Sequence, residues 1–319
     1  MASSHVPVLI DQVIKSLETA DKKTYIDCTF GAGGYTLRIL EAANCNVIGV
    51  DRDPDVKIFA QNVSKKYPDR FKFIEGSFGE LKDLFSENGI EQVDAIILDL
   101  GVSSMQIDQA ERGFSFSKDA ALDMRMSKEG VSAYDFVNNQ SEEVIADVLY
   151  KFGDEKFSRK IASKIVYLRS LKPIETTFEL AEIIRSVMPG KFRGHRTDPA
   201  TKSFQAIRIW VNDELEQLNK VLESSLELVK VGGKIIVVTF HSTEDRIVKN
   251  FFNQKSIGDR VVSRYLPDQV NDADGPILKV LNKKAIPTSD EEIESNVRSR
   301  SAKLRAAVKI REVKNDFKK

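Results

Sequence analysis

Gly31, Gly33, Gly34 and Asp51 have the types and spacing to hold a nucleoside. They sit in the stretch TYIDCTFGAGGYTLRILEAANCNVIGVDRD, residues 24–53. An apolar strand (Tyr25–Thr29) runs into the glycine turn, a helix starts near Tyr35, and a second apolar strand (Val47–Val50) ends in Asp51. The glycines let backbone approach a ligand closely, and the helix points its first N–H groups at it. Asp51 stands where an acid accepts hydrogen bonds from both ribose hydroxyls. A dinucleotide fingerprint needs a glycine at 36, and Thr36 is there instead. The pattern therefore fits an adenosine ligand without a pyrophosphate, above all S-adenosylmethionine.

Four further groups carry chemistry. Phe78 follows a third strand signal (71–74) and is placed to cover an adenine ring, although core packing is the better expectation for it taken alone. Asp99 ends a fourth (93–100), where the methionine part of a methyl donor and the entering substrate meet; Gly101 is expected to clear space beside it. His241 opens HSTEDR (241–246) after a fifth strand and is the second candidate proton acceptor after Asp99, with Ser242 and Asp245 reading as a helix start. The three histidines, His5, His195 and His241, lack metal-ligand spacing, so no metal is expected. Basic residues collect in a loop (Lys191, Arg193, Arg196) and in a terminal run (Arg298, Arg300, Lys303, Arg305), where RNA phosphate contact is expected. Lys156, Lys160 and Lys164 follow at four-residue spacing, a pattern that most often marks a solvated helix face. Phe114, Phe116, Phe192 and Phe204 could stack on a splayed base, but packing is the better expectation for each.

The elements that must position these groups alternate at first. Four strand signals with helices between them, the fourth nearly continuous in apolar residues, mean a parallel doubly wound sheet. From about 108 to 200 the pattern is helical. A long helix through Phe204, Ile207, Val211, Leu215, Leu218 and Leu222 then leads into the buried strand KIIVVTF (234–240). The expected architecture is a Rossmann-like α/β domain (1–107 and 212–319) with an inserted helical substrate-recognition domain (108–211). RVVSRYL (260–266), ILKVL (277–281) and LRAAVKI (304–310) complete the sheet, the last as a terminal strand.

Bulk properties narrow the class. The 319 residues carry 48 basic and 48 acidic side chains, so any polyanion must be met by local basic patches rather than total charge. Two cysteines without a C-x-x-C pattern suit a reducing cytoplasm. No apolar run reaches bilayer length, and the N-terminus lacks the layout of a signal peptide.

Taken together the motifs resemble, nearly end to end, the bacterial 16S ribosomal RNA cytosine-N4 methyltransferases of the RsmH (MraW) type. The resemblance rests on HVPVL (5–9), DCTFGAGG (27–34), VDRD (50–53), ILDLGVSSMQ (97–106), ERGFSF (111–116), LDMRM (122–126), PATKSFQAIRIWVNDEL (199–215), FHSTEDRIVK (240–249) and RSRSAKLR (298–305). It implies the class I methyltransferase fold, S-adenosyl-L-methionine as donor and a decoding-site cytosine of the small-subunit RNA as acceptor. By matching position it implies cofactor contact at Gly33–Tyr35, Asp51, Phe78, Asp99 and Gln106. The family often has His where Tyr35 stands, Leu at Thr243, His at Asp198 and Pro at Val297. Two rival readings are a methyltransferase acting on a protein amine and a non-catalytic ribosome-assembly factor.

Overall fold

A computed structural model describes residues 7–189, 198–257 and 275–313. The chain separates into two compact units, Met1–Gly101 with Glu216–Lys319, and Val102–Leu215.

The first unit is built on one sheet. Its strands are β1 (Thr24–Asp27), β2 (Asn46–Asp51), β3 (Phe71–Glu75), β4 (Val93–Asp99), β5 (Val229–Thr239), β6 (Leu278–Val280), β7 (Ile286–Pro287) and β8 (Lys303–Lys309). The order is β3-β2-β1-β4-β5-β8-β6, with β7 paired to β8. The first five strands pair in parallel. β8 runs antiparallel to both β5 and β6. LRAAVKI is therefore an interior strand rather than a terminal one: its Leu304, Ala306 and Ala307 are fully packed, which an edge would leave half wet. RVVSRYL lies outside the described residues. The order reverses between β1 and β4, and that switch point leaves a crevice outside the strand ends.

Helices α1 (Ile10–Leu17), α2 (Gly34–Ala42), α3 (Lys57–Lys66) and α4 (Leu81–Glu87) belong to this unit. Ile26, Ile96, Leu98, Ile235 and Val237 of the sheet share a core with Leu81 and Phe85 of α4.

The second unit is helical, with α5 (Ser104–Asp108), α6 (Ala133–Asn139), α7 (Glu142–Gly153), α8 (Ser158–Arg169), α9 (Thr177–Val187) and α10 (Thr201–Val211). Its starts are capped as the sequence suggests. Ser141 accepts from Val144 N–H, and Thr176 with Glu179 forms a capping box. Phe136, Ile145, Leu149, Ile161, Ile165, Leu180, Ile184 and Ile207 make a separate core. Phe204 packs edge-on against Phe116 at 4.7 Å within it, so these two aromatics are structural. Phe192 lies outside the described residues.

The expected long helix is two, α10 and α11 (Glu214–Leu228). Asp213 between them takes φ 52°, a left-handed value no helix continues through. Asn212 holds the break, accepting from Met126 N–H at 2.8 Å and donating to the Met124 carbonyl at 2.7 Å. Arg208 grips Glu214 across it with two bonds of 2.8 Å. α12 (Ser242–Ile257) follows β5 and packs Val248 and Phe252 on the sheet core, and α13 (Asp290–Ser295) precedes β8. Among the described residues no helix is long and apolar enough to cross a membrane, and no metal-binding cluster occurs.

Candidate active site

The glycine turn is shaped by an aromatic floor. Phe30 stacks on Phe71 with ring centroids 5.4 Å apart and lies 5.5 Å from Phe73. Gly33 sits on that ring at φ +80°, where a Cβ would come within 2.9 Å of Phe30. Any side chain there meets both steric conflict and backbone strain. Tyr35 begins α2 buried, its hydroxyl donating to the Val8 carbonyl, which pins the N-terminal segment beside the turn.

Asp51 at the end of β2 organises the same turn. Its Oδ2 accepts from Gly31 N–H at 2.8 Å and its Oδ1 from Asp53 N–H at 2.9 Å. Each oxygen keeps a second lone pair for a ribose hydroxyl. Burial raises its pKa to about 6, against the relief of those two backbone bonds.

Sequence reasoning overlooked Asp27, the last residue of β1. It is fully buried, accepts from the Thr36 hydroxyl at 2.8 Å, and burial lifts its pKa to about 6. The signal was present, since an acid ending the first strand just before the glycine turn lies at the same strand-end rim as Asp51 and Asp99.

Asp99 ends β4, across the switch point from Asp27. Its N–H donates to the Thr29 hydroxyl at 2.7 Å, but its buried Oδ1 has no partner. Burial first, then the charges of Asp27 and Glu244, push its pKa well above the carboxylate range. A buried acceptor with nothing to accept from is costly unless a ligand satisfies it. Gly101 beyond it has φ +101° and its nearest neighbour would stand 3.7 Å from a Cβ. The glycine is thus required by backbone conformation, not by crowding.

His241 serves α12. Glu244 N–H donates to its Nδ1 at 3.4 Å, and Glu244 Oε2 accepts from the N–H groups of Phe240 (2.9 Å) and His241 (3.3 Å). The helix begins at Ser242 as expected, but its cap is made by His241 with Glu244 rather than by Ser242 with Asp245. Nδ1 accepts from the Glu244 N–H, and Nε2 lies 2.9 Å from Glu244 Oε1 without hydrogen-bond alignment. Both ring nitrogens of His241 thus face Glu244.

Phe78 is partly buried against the sheet core, just beyond β3. Gln106 lies in the second unit, where it is buried and closes a capping box with Ser103.

The basic residues divide. Lys191, Arg193 and Arg196 lie outside the described residues. Arg298 and Arg300 are exposed on a short turn before β8. Arg305 is a correction: it is 9% exposed and donates to both oxygens of Asp245, at 2.7 and 3.2 Å. It sits on the interior strand β8, so its charge is spent within the fold. Lys303, exposed, lies 3.7 Å from the same carboxylate.

Comparison with known proteins adds the lineage. The family model described as the MraW methylase family matches residues 2–310. A protein named ribosomal RNA small subunit methyltransferase H from Rickettsia massiliae (strain Mtu5) is 49% identical over 312 residues, covering 98% of this chain and all of that one. One of the same name from Rickettsia felis is 48% identical over 310 residues, covering 97% and 100%. Among solved structures, an rRNA methylase from Streptococcus thermophilus aligns with TM-score 0.40 at 10% identity, over 95% of this chain and 94% of that one. A likeness that slight carries no argument; strand order and sequence do.

Proposed function

The chain belongs to the MraW methylase family, and from that we propose that it methylates the exocyclic N4 of a decoding-site cytosine in 16S ribosomal RNA, with S-adenosyl-L-methionine as donor. The coarser statement stands on its own: this is a small-subunit ribosomal RNA methyltransferase on a class I methyltransferase sheet. The residues present fit the donor. Asp51 offers acceptors at the ribose position, the turn at Gly33 has no room for a side chain, and Asp99 holds an unsatisfied oxygen at the adjoining strand end. When bound, the donor supplies an electrophilic methyl on a positively charged sulfur.

The chain's own task is then alignment and proton removal. Cytosine N4 is a weak nucleophile because its lone pair is delocalised into the ring. Asp99 Oδ1 accepts an N4 hydrogen, localises the lone pair and takes the proton that N4 loses as it is methylated. Asp99 must be ionised to accept, and a cationic donor held at this strand end would favour that form. The orphaned Oδ1 of Asp99 is the observation that carries this reading.

Attack at C5 usually needs a cysteine nucleophile. Cys28 and Cys45 are both buried, and burial pushes both thiols up, Cys28 far more strongly. That supports N4 over C5. The test feeds labelled donor to the purified protein with small ribosomal subunits and digests the RNA to nucleosides. Label is expected in N4-methylcytidine; label in 5-methylcytidine, in adenosine, or only in protein overturns the reading.

A further inference from the structure

The second unit carries a cavity of ≈ 590 Å³ that none of the strand-end site residues line. Tyr150 of α7 forms one wall, and Lys156, Phe157, Arg159 and Lys160 form the connector and first turn of α8. Tyr150 is 62% exposed, far more than packing requires of an aromatic ring. Lys156, Arg159 and Lys160 are all exposed. Phe157 is partly buried against the helical core and gives an apolar floor. The connector is held by local bonds. Asp154 caps α7 in the left-handed conformation, and Glu155 is buried, accepting from Phe157 N–H at 2.8 Å. Glu155 thus points its charge inward. Asp147 is held by Lys151 at 2.9 Å, and Arg159 also acts on it. The patch continues along α8, where Lys164 lies 5.5 Å from the ring of exposed Tyr167.

An exposed aromatic face beside three cations, in a cavity of nucleotide scale, is the arrangement that binds an unpaired nucleotide: the ring stacks the base and the cations hold the phosphates. We propose that this cavity is an accessory RNA site, taking one splayed nucleotide of the ribosomal RNA substrate away from the base to be methylated. The proposal rests on the reading of the chain as an RNA methyltransferase. It makes the four-residue lysine spacing a phosphate track, begun in the connector before α8 rather than on one continuous helix.

The test measures affinity for deproteinised small-subunit ribosomal RNA across salt concentrations. The triple variant Lys156→Ala, Arg159→Ala, Lys160→Ala should flatten the log–log salt slope by about 2. Tyr150→Ala should weaken binding about tenfold with the slope unchanged, and Tyr150→Phe should restore it, because stacking needs the ring and not the hydroxyl. All variants should melt as the wild type does and bind S-adenosylmethionine equally. A wild-type slope in the triple variant, unchanged affinity in Tyr150→Ala, or no binding of this RNA by the wild type overturns the proposal. Variants that lose affinity only for intact subunits overturn it too, in favour of a ribosomal-protein contact. The methyltransferase reading fails separately, if the wild type places no label in the RNA of intact subunits.

Discussion

Three carboxylates share the strand ends of the first unit, and each is held differently. Asp51 is tied to two backbone N–H groups and Asp27 to Thr36, whereas Asp99 keeps a bare oxygen. Replacing Asp51 with Ala should weaken S-adenosylmethionine binding about ten- to a hundredfold, the loss of one or two charge-assisted bonds; unchanged affinity in calorimetry excludes the ribose assignment. Asp99→Ala should cut single-turnover methylation far more than RNA affinity, since the proton acceptor matters only as the bond forms. A wild-type rate would leave Asp99 a structural residue. The pH dependence has a definite sign. Asp27 and Asp51 titrate near 6 when folded, above the ordinary 3.8. Their contribution to ligand-free stability is complete below the unfolded value and is lost as pH rises through about 6. Cofactor affinity should move oppositely, rising through that range as Asp51 ionises and accepts the ribose hydroxyls. Melting curves and calorimetry at matched pH check both, and Asp27→Asn should shrink the fall in melting temperature.

At the scale of elements, β8 decides what the terminal basic run can do. A strand inside a sheet alternates its faces, and burial on both leaves a charged residue only an internal partner. Arg305 finds Asp245 at the start of α12, which ties strand to helix. Removing it leaves a partly buried carboxylate with only the more distant Lys303, so Arg305→Ala should cost about 2 kcal/mol in urea unfolding while leaving the salt slope of RNA binding unchanged. Arg298→Ala with Arg300→Ala, on the exposed turn before the strand, should do the reverse. If Arg305→Ala flattens the slope and spares stability, the internal assignment is wrong.

At the scale of the molecule, charge balance forces recognition of a polyanion to be local. Forty-eight cations against forty-eight acids produce no long-range attraction, so phosphates must be met by clusters. Neutralising Lys191, Arg193 and Arg196 together should lower RNA affinity and flatten its salt dependence, by roughly one unit of slope for each phosphate that no longer meets a cation. Cofactor affinity should stay constant, because Gly31–Gly34, Asp51 and Asp99 all belong to the other unit. A matched fall in cofactor affinity would show that the loop supports the fold instead of RNA.

Periodicity and turn chemistry are local, so the sequence alone determined the parallel strands, the helical stretch from about 108 to 200, and the roles expected of Gly33 and Asp51. Motifs spread from HVPVL to RSRSAKLR determined the family, because so many spaced matches leave no other reading. Tertiary structure decided whatever depends on a distant partner. It put β8 inside the sheet, broke one apolar stripe at Asp213, and spent Arg305 on Asp245. It also drew His241 into capping α12 and left Asp99 Oδ1 unsatisfied. A side chain's type says which bonds it is able to make, but only the packed fold says which of its atoms are already bonded, and chemistry is left to those that are not.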